Sequence, residues 1–304
     1  MTSASLRLGL CCKFVEEPIK FRTSTATNLA RFPRDEQLTR LAEIAQHNAA
    51  ALLAALKYCA AHGIGSFRIA SQILPVRTHP TVGYVVDELP GFRAIVAAFR
   101  ACGRFAKAED IRMGFHPDQF VVLNSPDAGI VERSVAEIEV QAQIAEWVGA
   151  DTINIHGGGA YGDKTSALEA LRRNLPLLSK RARVRLTVEN DDKTYTPSDL
   201  LPVCRAEGMP FVYDVHHHRC CPDGLSIEEA TEAAVETWRG REPLFHISSP
   251  IEGWSGPQPS RHHDYIDPQD FPVEWLGRSL TVEVEAKAKE LAVLRLAAAL
   301  ASKS

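Results

Sequence analysis

Eight short runs of apolar and β-branched residues recur along the chain, each followed by a segment with helical periodicity. They are LRLGLC (6–11), SFRIAS (66–71), RMGFHP (112–117), TINIHG (152–157), RLTVEN (185–190), FVYDVH (211–216), LFHIS (244–248) and SLTVEVEA (279–286). Between them, apolar residues return at the spacing of amphipathic helices. QLTRLAEIAQHNAAALLAALKYCAAHG is the clearest example, with Gly63 as its stop. IVERSVAEIEVQAQIAEWVGA and KAKELAVLRLAAALA follow the same rule. Eight strand–helix units in succession predict a (β/α)8 TIM barrel, an α/β architecture in which helical crossovers join parallel strands. No Gly/Ser-rich linker and no shift in composition divides the chain, so a single domain over residues 1–304 is expected. The Pro- and Gly-rich connection from 249 to 272 is long, and loops of that length tend to be functional.

Composition narrows the classes. Of 304 residues, 45% are hydrophobic and 24% charged, the proportions of a globular protein. No apolar run reaches the roughly 20 residues that span a bilayer. The opening MTSASLRLGLCC lacks the basic start and long apolar stretch of a signal peptide. A cytoplasmic protein without a membrane partner is expected. The seven cysteines form no C-x-x-C pair, which argues for reduced thiols and against a disulfide framework or structural zinc module. A net charge of −4 weighs mildly against nucleic acid, although bound cations would add positive charge that a Lys and Arg count omits. The segment from Lys13 to Arg34 is locally basic, with Lys20, Arg22 and Arg31 between them.

Barrels place their chemistry at the C-terminal ends of strands and in the loops that follow. Those ends carry His116, His156, Glu189, Asp214, His246 and Glu285. His216, His217 and His218 follow Asp214 directly, and His262 and His263 lie in the seventh loop. Only His47, His62 and His79 of the eleven histidines fall elsewhere. One strand-end histidine is more often a hydrogen-bonded structural residue than a ligand. Six ends on one face do not fit that account together. Imidazoles mixed with carboxylates suit Zn²⁺, Mn²⁺ or Fe²⁺, whereas Mg²⁺ and Ca²⁺ prefer oxygen ligands. The candidates outnumber the ligands of one tetrahedral ion, so a cluster of two or three divalent ions bridged by carboxylates is expected. Ions ~4 Å apart generate hydroxide at neutral pH and clamp the oxygens of a phosphate ester. The same parts could polarise a sugar carbonyl, so spacing alone leaves hydrolysis and isomerisation both open.

Seven ordered motifs narrow the choice: FRIASQILPVRTHP (67–80), GFHPDQFVVLNSP (114–126), INIHGGGAYGDK (153–164), TVENDD (187–192), YDVHHH (213–218), LFHISS (244–249) and VEAKAKE (284–290). Each is weak alone, but in this order the set resembles the UV damage endonuclease family and, more distantly, endonuclease IV. The resemblance implies metal ligands at His116, His156, Glu189, Asp214, His217, His246, His263 and Glu285. Within that set His116, His156, Glu189 and Glu285 would be catalytic, Glu189 would bridge ions, and Asp214 with His246 would hold an outer one. Mn²⁺ is the expected ion and Zn²⁺ the alternative. The implied substrate is damaged double-stranded DNA, nicked 5′ to a UV photoproduct to leave a 3′-hydroxyl and a 5′-phosphate by an enzyme acting as a monomer.

Several positions depart from the family's pattern. Gln72 stands where members carry a strand-2 histidine, and Leu244 where they carry a modified lysine. The lesion-probing Gln-Tyr pair reads Gln119-Phe120, and the strand-1 tyrosine reads Leu10. Leu10, Gln72, Gln119 and Phe120 remain substrate-contacting candidates, since an apolar wedge can also fill an unstacked duplex. The alternative activities are an apurinic-site endonuclease and a metal-dependent sugar isomerase or epimerase.

Smaller features have two readings each. GGGAYG (157–162) lacks the P-loop Lys-Ser/Thr and is read as a loop that lets DNA or a metal approach closely. Lys193, Lys287 and Lys289 are phosphate-contact candidates, although a solvated lysine is commoner. Trp254 suits either base stacking or packing, and Asn190 either orienting Glu189 or stabilising a turn. His218 is assigned to the surroundings of the ions or to phosphate, and His216 to structure.

Overall fold

The computed structural model describes residues 6–302, so the first five and last two residues of the expected domain lie outside it. The strands are β1 (Leu6–Cys11), β2 (Ser66–Ile69), β3 (Arg112–Phe115), β4 (Thr152–His156), β5 (Leu186–Glu189), β6 (Phe211–Asp214), β7 (Leu244–Ile247) and β8 (Leu280–Val284). All are parallel, each bonds to the next, and β8 closes on β1 to complete a barrel. After β1 come α1 (Ala26–Leu29) and the long α2 (Arg34–Ala61). α3 (Phe92–Ala108) follows β2, α4 (Ala128–Val148) follows β3, and α5 (Lys164–Asn174) and α6 (Lys180–Arg183) follow β4. α7 (Pro197–Glu207) follows β5, α8 (Val215–Cys220) and α9 (Ile227–Thr237) follow β6, and α10 (Glu290–Ala301) closes the chain after β8.

The expected runs locate every strand, and several overshoot by one or two residues. The sixth shows why. Asp214 accepts from the backbone N–H of His217 at 2.8 Å and caps α8, so Val215 and His216 are helical rather than extended. α2 ends two residues before Gly63, whose φ of 68° suits a helix stop. No helix among the described residues is long and apolar enough to cross a membrane. All seven cysteines are free.

Alternation along the strands builds two different layers. Leu280, Val282 and Val284 of β8 join the apolar core, as do Ile153 and Ile155 of β4 and Phe67 and Ile69 of β2. The residues between them face the other way and are polar: Thr281 and Glu283, Thr152 and Asn154, Ser66 and Arg68, all buried. A Cβ on Gly9 of β1 would stand 3.0 Å from Ser66 Cβ and 3.2 Å from Glu283 Cγ, so these side chains share one space inside the barrel. Barrel interiors are usually filled by branched apolar residues. This one is a stack of hydroxyl, amide, guanidinium and carboxylate groups, and the candidate site is its upper layer.

Candidate metal centre

Register puts the first pairs side by side. His156 of β4 is opposite Glu189 of β5, and His246 of β7 is flanked by Asp214 of β6 and Glu283 of β8. Glu189 is the hub. Its Oε1 lies 3.2 Å from His116 Nε2 and 3.1 Å from His156 Nδ1, and its Oε2 lies 2.7 Å from His246 Nδ1. Asn154 Nδ2 donates to that Oε2 at 2.6 Å, and Thr187 donates to Asn154 Oδ1 at 3.0 Å, so the carboxylate is held from below. Glu189 is 1% exposed. Burial acts to raise its carboxyl, but His246, His116 and His156 outweigh burial and hold it well below the usual carboxylate range.

Glu285, one residue beyond β8, faces His246 Nδ1 at 3.5 Å and accepts from Arg68 at 2.6 Å. Arg68 also lies 3.2 Å from Glu283, and Glu283 lies 3.1 Å from His246 Nε2. A buried chain therefore runs Arg68–Glu283–His246 beneath the centre. Burial opposes the Glu285 charge, but Arg68 and His246 overcome it and depress its carboxyl well below the ordinary value. Burial likewise opposes charge on His246, and Glu189, Glu283 and Glu285 together raise its imidazole well above the usual range. Burial lowers His156 despite Glu189 nearby.

His217, on the first turn of α8, donates from Nδ1 to the Asn190 carbonyl at 3.0 Å, with Asp214 Oδ2 3.4 Å away. Burial disfavours its charge, yet Asp214, Glu189 and Glu285 raise it to about 9. Its ring stands 6.3 Å from that of His156 and 6.2 Å from that of His262.

The donor set fits divalent ions. Ligand atoms of His116, His156 and Glu189 all lie within 4.8 Å of one another, and so do those of His116, His246 and Glu285. Asp214 Oδ2 and both ring nitrogens of His246 are buried without an aligned hydrogen bond, although carboxylates crowd that imidazole. Imidazole nitrogens and carboxylate oxygens brought this close satisfy an ion better than they satisfy each other.

Above the centre opens a cleft of about 1240 Å³, whose wall includes His116, His156, Glu189, His217, His262 and Glu285. Gln72, Gln119 and Phe120 also line it, and Phe120 is 76% exposed. His79, which sequence position sets apart from the rim, lines it as well.

Several expectations are corrected. Leu10 is fully buried between Phe67 and Val284, packs in the core and offers no surface to a substrate. His262, not His263, turns toward the centre, with Nδ1 3.9 Å from Glu285; His263 Nδ1 instead accepts from the Tyr265 N–H at 2.9 Å. The backbone of His262 forms an antiparallel bridge with Pro250 in the same loop. The carboxylates nearest the His246 ring are Glu189, Glu283 and Glu285, while Asp214, its register neighbour on β6, lies against His217. Leu244 sits two residues below His246 in a small apolar cluster with Val212 and Trp238.

Asn190 brackets the Asp214 backbone at 2.8 and 3.0 Å instead of touching Glu189; Asn154 has that task. His218 is buried between Tyr213 Oη and Asp223, out of reach of phosphate. His216 is buried and kept neutral by burial, as a structural residue should be. Trp254 donates to Asp270 and stacks near His216, which is packing. The glycines of the fourth loop leave room for neighbouring side chains, and Gly158 and Gly159 also line the cleft. A Cβ on Gly157 would meet the Tyr195 ring at 2.7 Å, one on Gly158 would meet Asn124 Oδ1 at 2.0 Å, and one on Gly159 would meet the Tyr161 ring at 3.0 Å.

Arg68, Glu283 and Asn154 belong to the site although none was singled out as a candidate from the sequence, and Arg68 and Asn154 lie inside two of the ordered motifs. The available signal was charge or amide at inward positions of strands otherwise apolar, a pattern that needs a buried partner.

The UV-endonuclease UvdE family profile matches residues 6–304. A UV DNA damage endonuclease of Bacillus velezensis is 35% identical over 297 residues, covering 94% of this chain and 89% of that protein. Among solved structures, SacUVDE superposes with a TM-score of 0.87 at 25% identity, covering 98% of this chain and 99% of the other. Endonuclease IV from Thermus thermophilus shares the fold, with a TM-score of 0.63 at 17% identity over 98% of this chain and all of that one. By descent as well as by the layout of its barrel, the chain belongs to the UV-endonuclease UvdE family.

Proposed function

We propose that this protein is a metal-dependent DNA repair endonuclease. It nicks duplex DNA 5′ to UV photoproducts or similar distortions and leaves a 3′-hydroxyl and a 5′-phosphate. The observation that carries this reading is the convergence of histidines from three strand ends on the Glu189 carboxylate of a fourth, beneath an open cleft, in a chain of this family. His116, His156 and Glu189 would hold one ion, and His246 and Glu285, with His116 within reach of both groups, a second. Asp214, His217 and His262 are the candidates for a third. Bound divalent ions supply a nucleophile at neutral pH and neutralise charge on the phosphate being cleaved.

The chain's own residues supply the rest. Asn154 fixes the Glu189 carboxylate, and Asn190 fixes the His217 ring through its carbonyl. Phe120, exposed beside Gln119 on the cleft wall, would enter an unstacked duplex, a role supported by its exposure and by the use of apolar wedges in the space of a displaced base. Gln72, whose side chain meets the Thr23 hydroxyl at 3.5 Å and lines the cleft, would contact the DNA. In this reading one copy of the whole chain acts as a single catalytic domain on damaged DNA in the cytoplasm, with Mn²⁺ ahead of Zn²⁺ as its ion.

The test is incubation of purified protein and Mn²⁺ with UV-irradiated and unirradiated supercoiled plasmid. Nicking confined to the irradiated plasmid, and abolished by chelation, is expected. Equal nicking of both, or of neither, sinks the lesion-specific reading. An apurinic-site endonuclease is the second reading, favoured by the burial of Leu10, which leaves Phe120 as the one apolar probe among the positions named for lesion contact. An oligonucleotide with one abasic analogue separates the two.

A further inference from the structure

Beside the main cleft, and sharing His262 and Glu285 with it, lies a second cavity of about 360 Å³. Its remaining wall is Arg68, Arg261, Ala286, Lys287 and Lys289. Four of those five are cationic, whereas the main cleft mixes Arg77, Arg133 and Lys193 with Asp118, Glu137, Asp191, Asp192 and the hub carboxylates. Glu285, the acid on the smaller cavity's wall, is already met by Arg68 at 2.6 Å. Among the described residues, no carboxylate makes an ion pair with Arg261, Lys287 or Lys289. The cavity is thus a convergence of free positive charge at the edge of the metal centre, in a molecule whose net charge is −4.

The loops that carry these cations are joined through their backbones. The loops after β7 and β8 are joined where the Lys287 N–H donates to the His263 carbonyl at 3.1 Å and the Ala288 N–H donates to the Asp264 carbonyl at 2.9 Å. The Ile251 N–H donates to the Arg261 carbonyl at 2.8 Å across the same hairpin. Lys289 has a φ of 49°, a conformation that costs a non-glycine residue energy and that the two joined loops impose. Arg261 and Lys287 are exposed and Lys289 is half-buried, so the three cations face solvent around one cavity, where an anion can reach them.

We propose that this cavity is a second phosphate site, which takes a backbone phosphate of the nicked strand next to the one cleaved at the ions. It rests on the endonuclease reading and adds to it the path of the strand: across the centre, past Glu285 and His262, and down onto Arg261, Lys287 and Lys289. Phosphate contacts of this kind set register on the duplex without reading sequence. For an enzyme that must cut at a fixed step from a lesion, register is the quantity that matters.

The experiment uses a duplex with a single thymine dimer and measures kcat/KM with Mn²⁺ from about 50 to 200 mM salt. The variant combines Arg261→Ala, Lys287→Ala and Lys289→Ala, with its melting temperature as the control for folding. Its log–log salt slope should be shallower than wild type by about 0.9, the increment expected when one phosphate is no longer neutralised. In parallel, an uncharged methylphosphonate is placed in turn at the phosphates flanking the cut. One position should weaken wild type and leave the triple variant unaffected. An unchanged salt slope, or no flanking position to which wild type responds, overturns the second site. Wild type that fails to incise the dimer duplex at all sinks the endonuclease reading instead, so the two failures are distinct.

Discussion

Glu189 is reached by three imidazoles and one amide, and its charge compensates theirs. Glu189→Gln keeps the shape and removes the charge, so nicking of irradiated plasmid should fall to background while the circular dichroism spectrum is retained. His47→Ala is the contrast: that ring bonds the Lys20 carbonyl on the exposed face of α2, and its removal should change stability by no more than about 0.5 kcal/mol. Glu283 lies below His246 and touches no cleft, yet it sets which way that imidazole points. Outer partners of metal-ligating histidines typically matter 10- to 100-fold, so Glu283→Gln should weaken Mn²⁺ binding by roughly that factor in calorimetry. His217 carries a pH dependence. Its folded value of about 9 exceeds the ordinary ~6.5, so the stabilisation is complete below 6.5 and is lost as pH rises through 9. Urea unfolding of chelator-treated protein should show stability falling across that window, and His217→Gln should flatten the fall.

At the scale of elements, the fourth loop is a packing device. Gly158 has a φ of 87° and no room for a Cβ beside Asn124, whose amide donates to the Gly159 carbonyl at 2.8 Å. Gly158→Ala should cost about 1–3 kcal/mol in thermal unfolding, a combination of backbone strain and the displaced amide. Asn124→Gly should remove the clash and recover part of that cost in the double variant. The strands themselves were legible, because period-2 alternation in SLTVEVEA or TINIHG leaves little choice of element. Their ends were less so. The sixth strand stops at Asp214, short of the expected His216, because a side-chain cap competes with extension, and a cap is visible only once the helix it starts is known.

At the scale of the whole molecule, the barrel's polar interior ties fold to site. Arg68 on β2 and Glu283 on β8 are charges that no strand could bury alone; together with His246 they compensate one another across the lumen. The same closure brings Arg68 to Glu285 over 217 residues of chain. The repeating strand–helix pattern, the strand-end positions of His116, His156, Glu189, Asp214, His246 and Glu285, and the family motifs are properties of local order, and the sequence by itself determined them. Which of two adjacent histidines faces the centre, that Leu10 is core while Phe120 projects, and that glycines 157–159 shelter neighbouring side chains were decided only by the tertiary structure. The physical reason is that these are relations between groups on different strands and loops. Closing the barrel sets their distances, and no spacing along a single segment records it.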